Sequence, residues 1–117
     1  MVTPNTSPER MQQIAARTTG FIYTVSVLGV TGSRDALSDS VEDLVRRLKS
    51  LTDVPVCVGF GISKPEHARA VADAGADGAI IGSRIVGMIE AHLDDPGRAI
   101  AEVSVFITQV KAALSEA

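Results

Sequence analysis

The fold is decided at residues 54–63, VPVCVGFGIS, where a short apolar run leads directly into a glycine-rich turn. Valine dominates the run at 54–58, and β-branched residues of this kind favour buried strands. The turn ends at Ser63, and Ser63 and Glu66 fit a capping box that has Pro65 in the first turn of a helix. This stretch therefore predicts a strand, a tight turn and a helix, which is the repeating unit of a parallel α/β fold.

Two further strands are predicted, one on each side of that stretch. Residues 21–27 are apolar or β-branched at nearly every position, so we expect a strand that is covered on both faces and central in a parallel sheet. Residues 79–81 form a shorter apolar run, and Gly82 and Ser83 lead from it into a short helix at 84–93. The three strands should share one sheet.

Three longer helices complete the predicted order of helix, strand, helix, strand, helix, strand, short helix and long helix. Ser7, Pro8 and Glu9 start the first helix, and Gly20 ends its segment. The helix that Pro65 opens should stop at Gly75. Helical spacing predicts the buried residues of the remaining two helices as Val41, Leu44, Val45 and Leu48, and as Ile100, Val103, Ile107, Val110 and Leu114.

Composition is typical of a single-domain globular protein. The chain has 117 residues, of which 45% are hydrophobic and 21% are charged, so one buried core can form. A net charge of −3 with dispersed Lys and Arg argues against a nucleic-acid surface. No apolar run approaches the ~20 residues of a membrane helix, and no signal peptide or disulfide framework is evident. We therefore expect a cytoplasmic protein in which Cys57 is a buried, inert thiol.

Each predicted strand ends in glycine together with a small hydroxyl residue, in the sequences GVTG at 29–32, GFGIS at 59–63 and GS at 82–83. The carboxyl ends of parallel strands meet at one edge of a sheet. Glycine lets the backbone approach a ligand, and the amides at a helix start bind anions. The last two turns, with the short helix after them, match the phosphate site that (β/α)8 barrels build after their seventh and eighth strands.

Any one of these glycines is explained equally well by the tight connection that it makes. Three turns at one edge favour phosphate binding. Acid–base chemistry is not indicated, because the strand ends carry no carboxylate, His or Lys. Asp35 and Asp39 fall in a loop where solvation explains them, and His67 and His92 are expected on helix surfaces.

The three motifs, in this order and spacing, resemble the tryptophan synthase alpha subunit, and the likeness runs essentially from Thr3 to the end of the chain. The resemblance is carried by GVTG at 29–32, GFGIS at 59–63 and GS at 82–83 followed by IV at 85–86. It implies one α/β domain over residues 1–117, the C-terminal portion of a (β/α)8 TIM barrel. The predicted strands would be strands six to eight. A complete barrel needs ~250 residues, so we expect an incomplete barrel with three parallel strands and flanking helices.

The resemblance also implies an activity in tryptophan biosynthesis. The family is a lyase that cleaves indole-3-glycerol phosphate to indole and glyceraldehyde 3-phosphate, with no cofactor in this subunit. Indole then passes to a beta subunit that carries pyridoxal phosphate. The expected partners are therefore indole-3-glycerol phosphate and the beta subunit, in the alpha2-beta2 tetramer of full-length family members, and neither nucleic acid nor a membrane.

Site residues follow from the resemblance by matching position. Thr31 would lie on the loop that closes over the active site. The catalytic Asp and Glu of the family lie before the first matched residue, so no catalytic residue and no metal ligand is expected in this chain. The residues expected to hold the substrate phosphate are Gly32, Gly61, Ile62, Gly82 and Ser83, and those expected to line the pocket are Tyr23, Phe60 and Ile80.

Three hypotheses for the function remain open at this point. The chain could be part of a lyase that forms indole only when the missing strands are supplied by another polypeptide, and is inactive alone. It could be a noncatalytic half-barrel that binds phosphate or docks a beta subunit. It could also be a nonfunctional truncated product, because the acid and the base are absent.

Overall fold

The computed structural model describes residues 1–3, 5–25, 34–59 and 62–115, and for residues 34–40 it describes the helical backbone without the side chains. Strands and helices alternate in the predicted order until two helices end the chain. The elements are α1 (Pro8–Arg17), β1 (Ile22–Val25), α2 (Arg34–Leu51), β2 (Val56–Gly59), α3 (Pro65–Asp73), β3 (Gly78–Ile80), α4 (Ser83–Ala91) and α5 (Pro96–Ser115).

The three strands form one parallel sheet in the order β1-β2-β3. The prediction that the first strand is central was wrong, because β2 lies between the other two. On its outer side β1 meets Val2, whose amide donates to the Tyr23 carbonyl at 2.9 Å and whose carbonyl accepts from the Val25 amide at 2.8 Å. The pairing extends the sheet by a single bridge at that edge.

The sheet is fully buried on one face only. Ile22 and Val56 are buried among the apolar residues of the helices, whereas Tyr23 and Cys57, on the opposite face, are half-buried. The prediction that the first strand is covered on both faces was therefore wrong. Side chains alternate between the two faces of a strand, and the buried core joins the sheet to its helices on the Ile22 side.

The caps of α1 and the end of α3 follow the prediction. The Ser7 hydroxyl oxygen accepts from the Arg10 amide at 3.3 Å at the start of α1. Gly20 and Gly75 have φ angles of 85° and 103°, in the left-handed region that glycine adopts most easily. These two positions turn the chain from α1 towards β1 and from α3 towards β3.

The predicted capping box at the start of α3 does not form. Lys64 is the N-terminal cap residue, and no side chain among the described residues caps the helix. Instead, the Ser63 amide donates to His67 Nδ1 at 3.1 Å. The imidazole thus takes the place of a carboxylate in satisfying the backbone, and His67 is half-buried rather than at the surface.

The buried face of α5 differs from the predicted stripe. Ile100 is 70% exposed and Ile107 is 43% exposed, although both belong to that stripe. Helix α5 packs against α3 and α4, and this packing buries the largest apolar side chain of the helix, Phe106. Leu114 is also exposed, whereas Val110 is buried and Val103 is partly buried as predicted.

Helix α2 has the predicted apolar and charged faces. Arg46 pairs with Glu42 at 2.8 Å and Arg47 with Asp43 at 3.7 Å, and all four side chains are at least 42% exposed. Exposed pairs of this kind contribute little to stability, so the charges mark a solvated face. Its buried residues are those predicted, Val41, Leu44, Val45 and Leu48.

Within the described ranges, no helix has the length and apolar character needed to cross a bilayer.

Cys57 is half-buried, not fully buried as predicted. Burial, followed by the nearby Asp77 carboxylate, raises the pKa of its thiol. A thiol reacts as its thiolate, so the raised pKa supports the expectation of an inert side chain.

One carboxylate joins three elements at the amino end of the sheet. Asp77 Oδ2 accepts from Lys49 Nζ and from the Val56 amide, both at 2.8 Å. The Asp77 amide donates to the Val56 carbonyl, also at 2.8 Å. These bonds connect the end of α2, the start of β2 and the residue before β3. The bond from Lys49, and then that from the Val56 amide, lowers the pKa of Asp77.

Gly59 ends β2 in a crowded position. A Cβ atom there would lie 2.9 Å from Tyr23 Oη and 3.1 Å from Ile80 Cβ. Because Gly59 has no side chain, the ring of Tyr23 on the neighbouring strand can occupy this space.

Replacing Asp77 by Ala is expected to lower the free energy of unfolding by about 1–2 kcal/mol near neutral pH, because the partly buried Val56 amide loses its acceptor. Lys49→Met, the control, removes only the exposed ion pair and should cost less than about 1 kcal/mol. The contribution of Asp77 is present above the unfolded-state pKa of about 3.9 and is lost as pH falls through the lower folded-state pKa. Urea unfolding at neutral pH and at about pH 2.5 checks this. An equal difference between wild type and Asp77→Ala at both pH values would contradict it.

Gly59→Ala is expected to destabilise the chain by about 1–3 kcal/mol, since the new methyl group overlaps Tyr23 and Ile80. Tyr23→Leu in the same chain should recover part of the loss by removing the hydroxyl and the far part of the ring. Gly87→Ala is the control, because none of the described residues outside the backbone of α4 and the chain neighbours of Gly87 lies within 4 Å of its Cβ position, and it should be neutral or stabilising. Thermal unfolding of the variants measures the order, and equal midpoints for Gly59→Ala and Gly87→Ala would refute the proposed crowding.

Candidate functional site

A cavity of about 390 Å³ lies at the carboxyl ends of the strands. Its walls come from β1, the turn after β2, the end of β3 and the first turn of α4. Parallel sheets bind ligands at this edge. The residues that line the cavity are Tyr23, Ile62, Ser63, Ile80, Gly82, Ser83 and Arg84.

Five residues predicted from the sequence meet at this cavity. Ile62, Gly82 and Ser83 are expected phosphate ligands, and Tyr23 and Ile80 are expected pocket residues. The other predicted site residues, Thr31, Gly32, Phe60 and Gly61, lie outside the described residues.

The polar end of the cavity is the start of α4. Gly82 is the cap residue, and its carbonyl accepts from the Ile85 and Val86 amides at 3.0 Å each. The first amides of a helix have no partner within the helix, and the helix dipole places partial positive charge there. Among the described residues, no side chain caps α4, and apart from the chain neighbours of Gly82 none places an atom within 4 Å of its Cβ position. The described part of the chain therefore sets no steric barrier to an anion at this end.

The opposite end of the cavity is apolar. Ile80 comes from the last position of β3 and Tyr23 from the second position of β1. Both are half-buried, and the absence of a side chain at Gly59 leaves room for the Tyr23 ring beside Ile80. An aromatic ring fits against such a wall.

The chemistry available in the cavity is limited. Its described lining contains no carboxylate, imidazole or Lys, and Arg84 is the charged residue among its members. Peptide amides, a hydroxyl and a guanidinium can hold and orient an anion, but they offer no acid and base near neutral pH. The arrangement supports binding and not proton transfer.

Two lining residues, Ser63 and Arg84, were not predicted as ligand contacts. Ser63 was assigned to a helix cap, although it belongs to the same glycine turn as the predicted ligands. Arg84 follows Ser83 directly, and its place in the first turn of α4 was the available signal. Sequence motifs identify the glycines of such a turn more readily than the side chains beside them.

The remaining candidates for chemistry lie elsewhere. The prediction that His92 lies at the surface was wrong. Its side chain is only 19% exposed, and its Nε2 lies 2.8 Å from Glu102 Oε2. The side chains of Asp35 and Asp39 are outside the described part. Among the residues described, no group of three or more His, Cys, Asp or Glu side chains is placed to hold a metal ion.

A larger groove, of about 560 Å³, runs between α4 and α5. Its walls are almost wholly apolar and include Ile89, Leu93 and Ile100, with His92 and Ser104 as the polar members. It lies on the outer helices and not at the strand ends. Because it lacks converging polar groups, we regard the smaller cavity as the candidate site.

Comparison with known protein families and with curated relatives points to the same family in each case. A family described as tryptophan synthase alpha chain matches residues 1–115. The tryptophan synthase alpha chain of Arabidopsis thaliana is 44% identical over 114 residues, which cover 97% of this chain and 41% of the relative. That of Thermosynechococcus vestitus is 46% identical, with the same coverage of 97% and 41%.

Solved structures agree with these relatives. A structure of the tryptophan synthase alpha2-beta2 complex of Pyrococcus furiosus has a chain with a TM-score of 0.79 and 37% identity, and the match covers 95% of this chain and 44% of that chain. Tryptophan synthase of M. tuberculosis matches with a TM-score of 0.75 and 28% identity over 99% of this chain and 39% of that chain.

These comparisons confirm the predicted fold class. The structural relatives are (β/α)8 TIM barrels, and this chain has the three parallel strands and flanking helices of an incomplete one. It spans about 41% of the length of the Arabidopsis and Thermosynechococcus relatives. Because the family described as tryptophan synthase alpha chain matches residues 1–115, the chain belongs to the tryptophan synthase alpha chain family.

Proposed function

We propose that residues 1–117 are the C-terminal portion of a tryptophan synthase alpha-type barrel and supply the phosphate-binding part of its active site. The reaction is the cleavage of indole-3-glycerol phosphate to indole and glyceraldehyde 3-phosphate in tryptophan biosynthesis. The observation that carries the proposal is the single cavity that gathers five residues named by the family resemblance. Its polar end is the start of α4, and its other end is apolar.

The phosphate binds at the polar end of the cavity. The amides of the first turn of α4, at Ser83 and Arg84, point to the bound oxygens, and Gly82 lets them approach. Ile62 contributes from the turn after β2, and Gly32 and Gly61 are proposed to complete the contacts. The indole ring then lies towards the apolar end, beside Tyr23 and Ile80. From the family resemblance, Phe60 is proposed to line the same pocket and Thr31 to belong to the closing loop.

Cleavage also requires two proton transfers. A proton must reach the indole carbon that carries the glycerol chain, and the neighbouring glycerol hydroxyl must lose one. The carbon–carbon bond then breaks, its electron pair returns to the indole ring, and the hydroxyl carbon becomes the aldehyde. The described lining of the cavity contains neither acid nor base. We propose that both come from the part of the family barrel that this chain does not match, so that the chain alone orients the substrate and is inactive.

The proposed reaction needs no cofactor from this chain. The complex from Pyrococcus furiosus is an alpha2-beta2 assembly, and we propose that a beta subunit, which carries pyridoxal phosphate, is the partner here. The proposed location is the cytoplasm. A noncatalytic half-barrel that binds phosphate or docks a beta subunit is the second candidate, favoured by the missing acid and base.

Gly82→Asp is expected to weaken the binding of glycerol 3-phosphate by at least about tenfold relative to Gly82→Asn, because a carboxylate at the start of α4 repels the phosphate. The Asn variant is the matched control, since it has the same shape without the charge. Both residues cap helices well, and the Cβ position is open, so both variants should fold. Amide chemical shifts of Ser83 in a titration give the affinities. Equal affinities for the two variants would argue against an anion at this end.

A complementation assay tests the catalytic part of the proposal. The chain is mixed with a polypeptide that contains the unmatched part of the Thermosynechococcus vestitus relative, and indole release from indole-3-glycerol phosphate is measured. We expect release from the mixture, no release from either partner alone, and no release when the chain carries Gly82→Asp. The positive control is the same polypeptide mixed with the matching segment of its own relative. If only that control released indole, the noncatalytic alternative would replace the lyase.

A further inference from the structure

Arg84 is the charged residue among the described residues that line the cavity. It is the second residue of α4, directly after Ser83, and it is exposed where it lines the cavity. A cation in the first turn of a helix is repelled by the partial positive charge of the helix end. The repulsion of an exposed arginine here is small, and an anion bound beside Arg84 would offset it.

The guanidinium group of Arg84 is held only weakly. Its recorded contact is with the Phe106 ring, whose centroid lies 6.0 Å from Arg84 Cζ. That distance is at the outer limit for attraction between a cation and an aromatic ring. No side chain in the described part of the chain forms an ion pair or hydrogen bond with this guanidinium.

A carboxylate in the same groove as Arg84 is already paired with other side chains. Glu102 lines the same shallow groove as Arg84 and Phe106. Its Oε2 lies 2.8 Å from His92 Nε2, and its Oε1 lies 3.6 Å from Arg98 Nε. In the described part of the chain Arg84 thus has no carboxylate partner, and it lines a cavity that has no other charged lining residue among those described.

We propose that Arg84 is a substrate-binding residue that turns from Phe106 into the cavity and pairs with the phosphate monoester. This inference rests on the proposed function and adds a side-chain cation to a site otherwise built from backbone amides. The planar guanidinium can donate two parallel hydrogen bonds to phosphate oxygens. Phe106 then serves as the resting place of the side chain in the unliganded protein.

The test is a titration of the 117-residue chain with glycerol 3-phosphate, followed through the amide shifts of Gly82 and Ser83. Arg84→Gln should weaken binding about tenfold, because it removes charge-assisted hydrogen bonds and keeps the reach of the side chain. Arg84→Lys should retain most of the affinity. Arg46→Gln, which removes the same charge from the solvated face of α2, should bind like wild type. Raising the salt concentration to about 0.15 M should weaken wild type more than Arg84→Gln.

The outcomes separate the two proposals. If wild type binds and Arg84→Gln binds equally well, the role of Arg84 is overturned and the phosphate site stands. If wild type shows no saturable shift at Gly82 and Ser83, the phosphate site and the role of Arg84 fail together. A purely structural role through Phe106 predicts a lower unfolding midpoint for Arg84→Gln with unchanged affinity, and that result would also overturn the inference.

Discussion

Parallel pairing of β1, β2 and β3 is the constraint on which the structure depends. Because the strands run in the same direction and in register, their carboxyl ends lie at one edge, and the connections that follow them are brought together. The start of α4 and the turn after β2 owe their proximity to this pairing. Without it, Tyr23 and Ser83, which are far apart in sequence, would not share a cavity.

The element order was predictable because each strand is a short apolar run between glycine turns. The errors concern relations that depend on tertiary packing. Nothing local to residues 21–27 distinguishes a central strand from an edge strand, and apolar composition does not reveal that only the face of Ile22 meets the helices. Helix α5 is apolar on more than one side, so the choice of Phe106 over Ile100 as a buried residue depended on the position of α3 and α4.

The candidate site was predictable to the extent that its residues belong to motifs. Gly82 and Ser83 line the cavity because a strand, a small turn and a helix start follow one another there. Arg84 was not predicted, since the motif does not specify the side chain at that position. Ser63 was assigned to a cap, because the sequence of a capping box is the same whether or not the hydroxyl bonds to the helix. In the structure, His67 accepts the hydrogen bond from the Ser63 amide instead.

The contacts of Asp77 lie at the amino end of the sheet, away from the strand ends that form the cavity. The contacts of Asp77 and the candidate site thus lie at opposite rims of the same three strands. Substitutions in the loops at the cavity rim can then accumulate without disturbing the contacts of Asp77. A new ligand preference can therefore arise with little loss of stability. Barrels of this type are accordingly well suited to divergence, with one rim conserved for stability and the other free to vary.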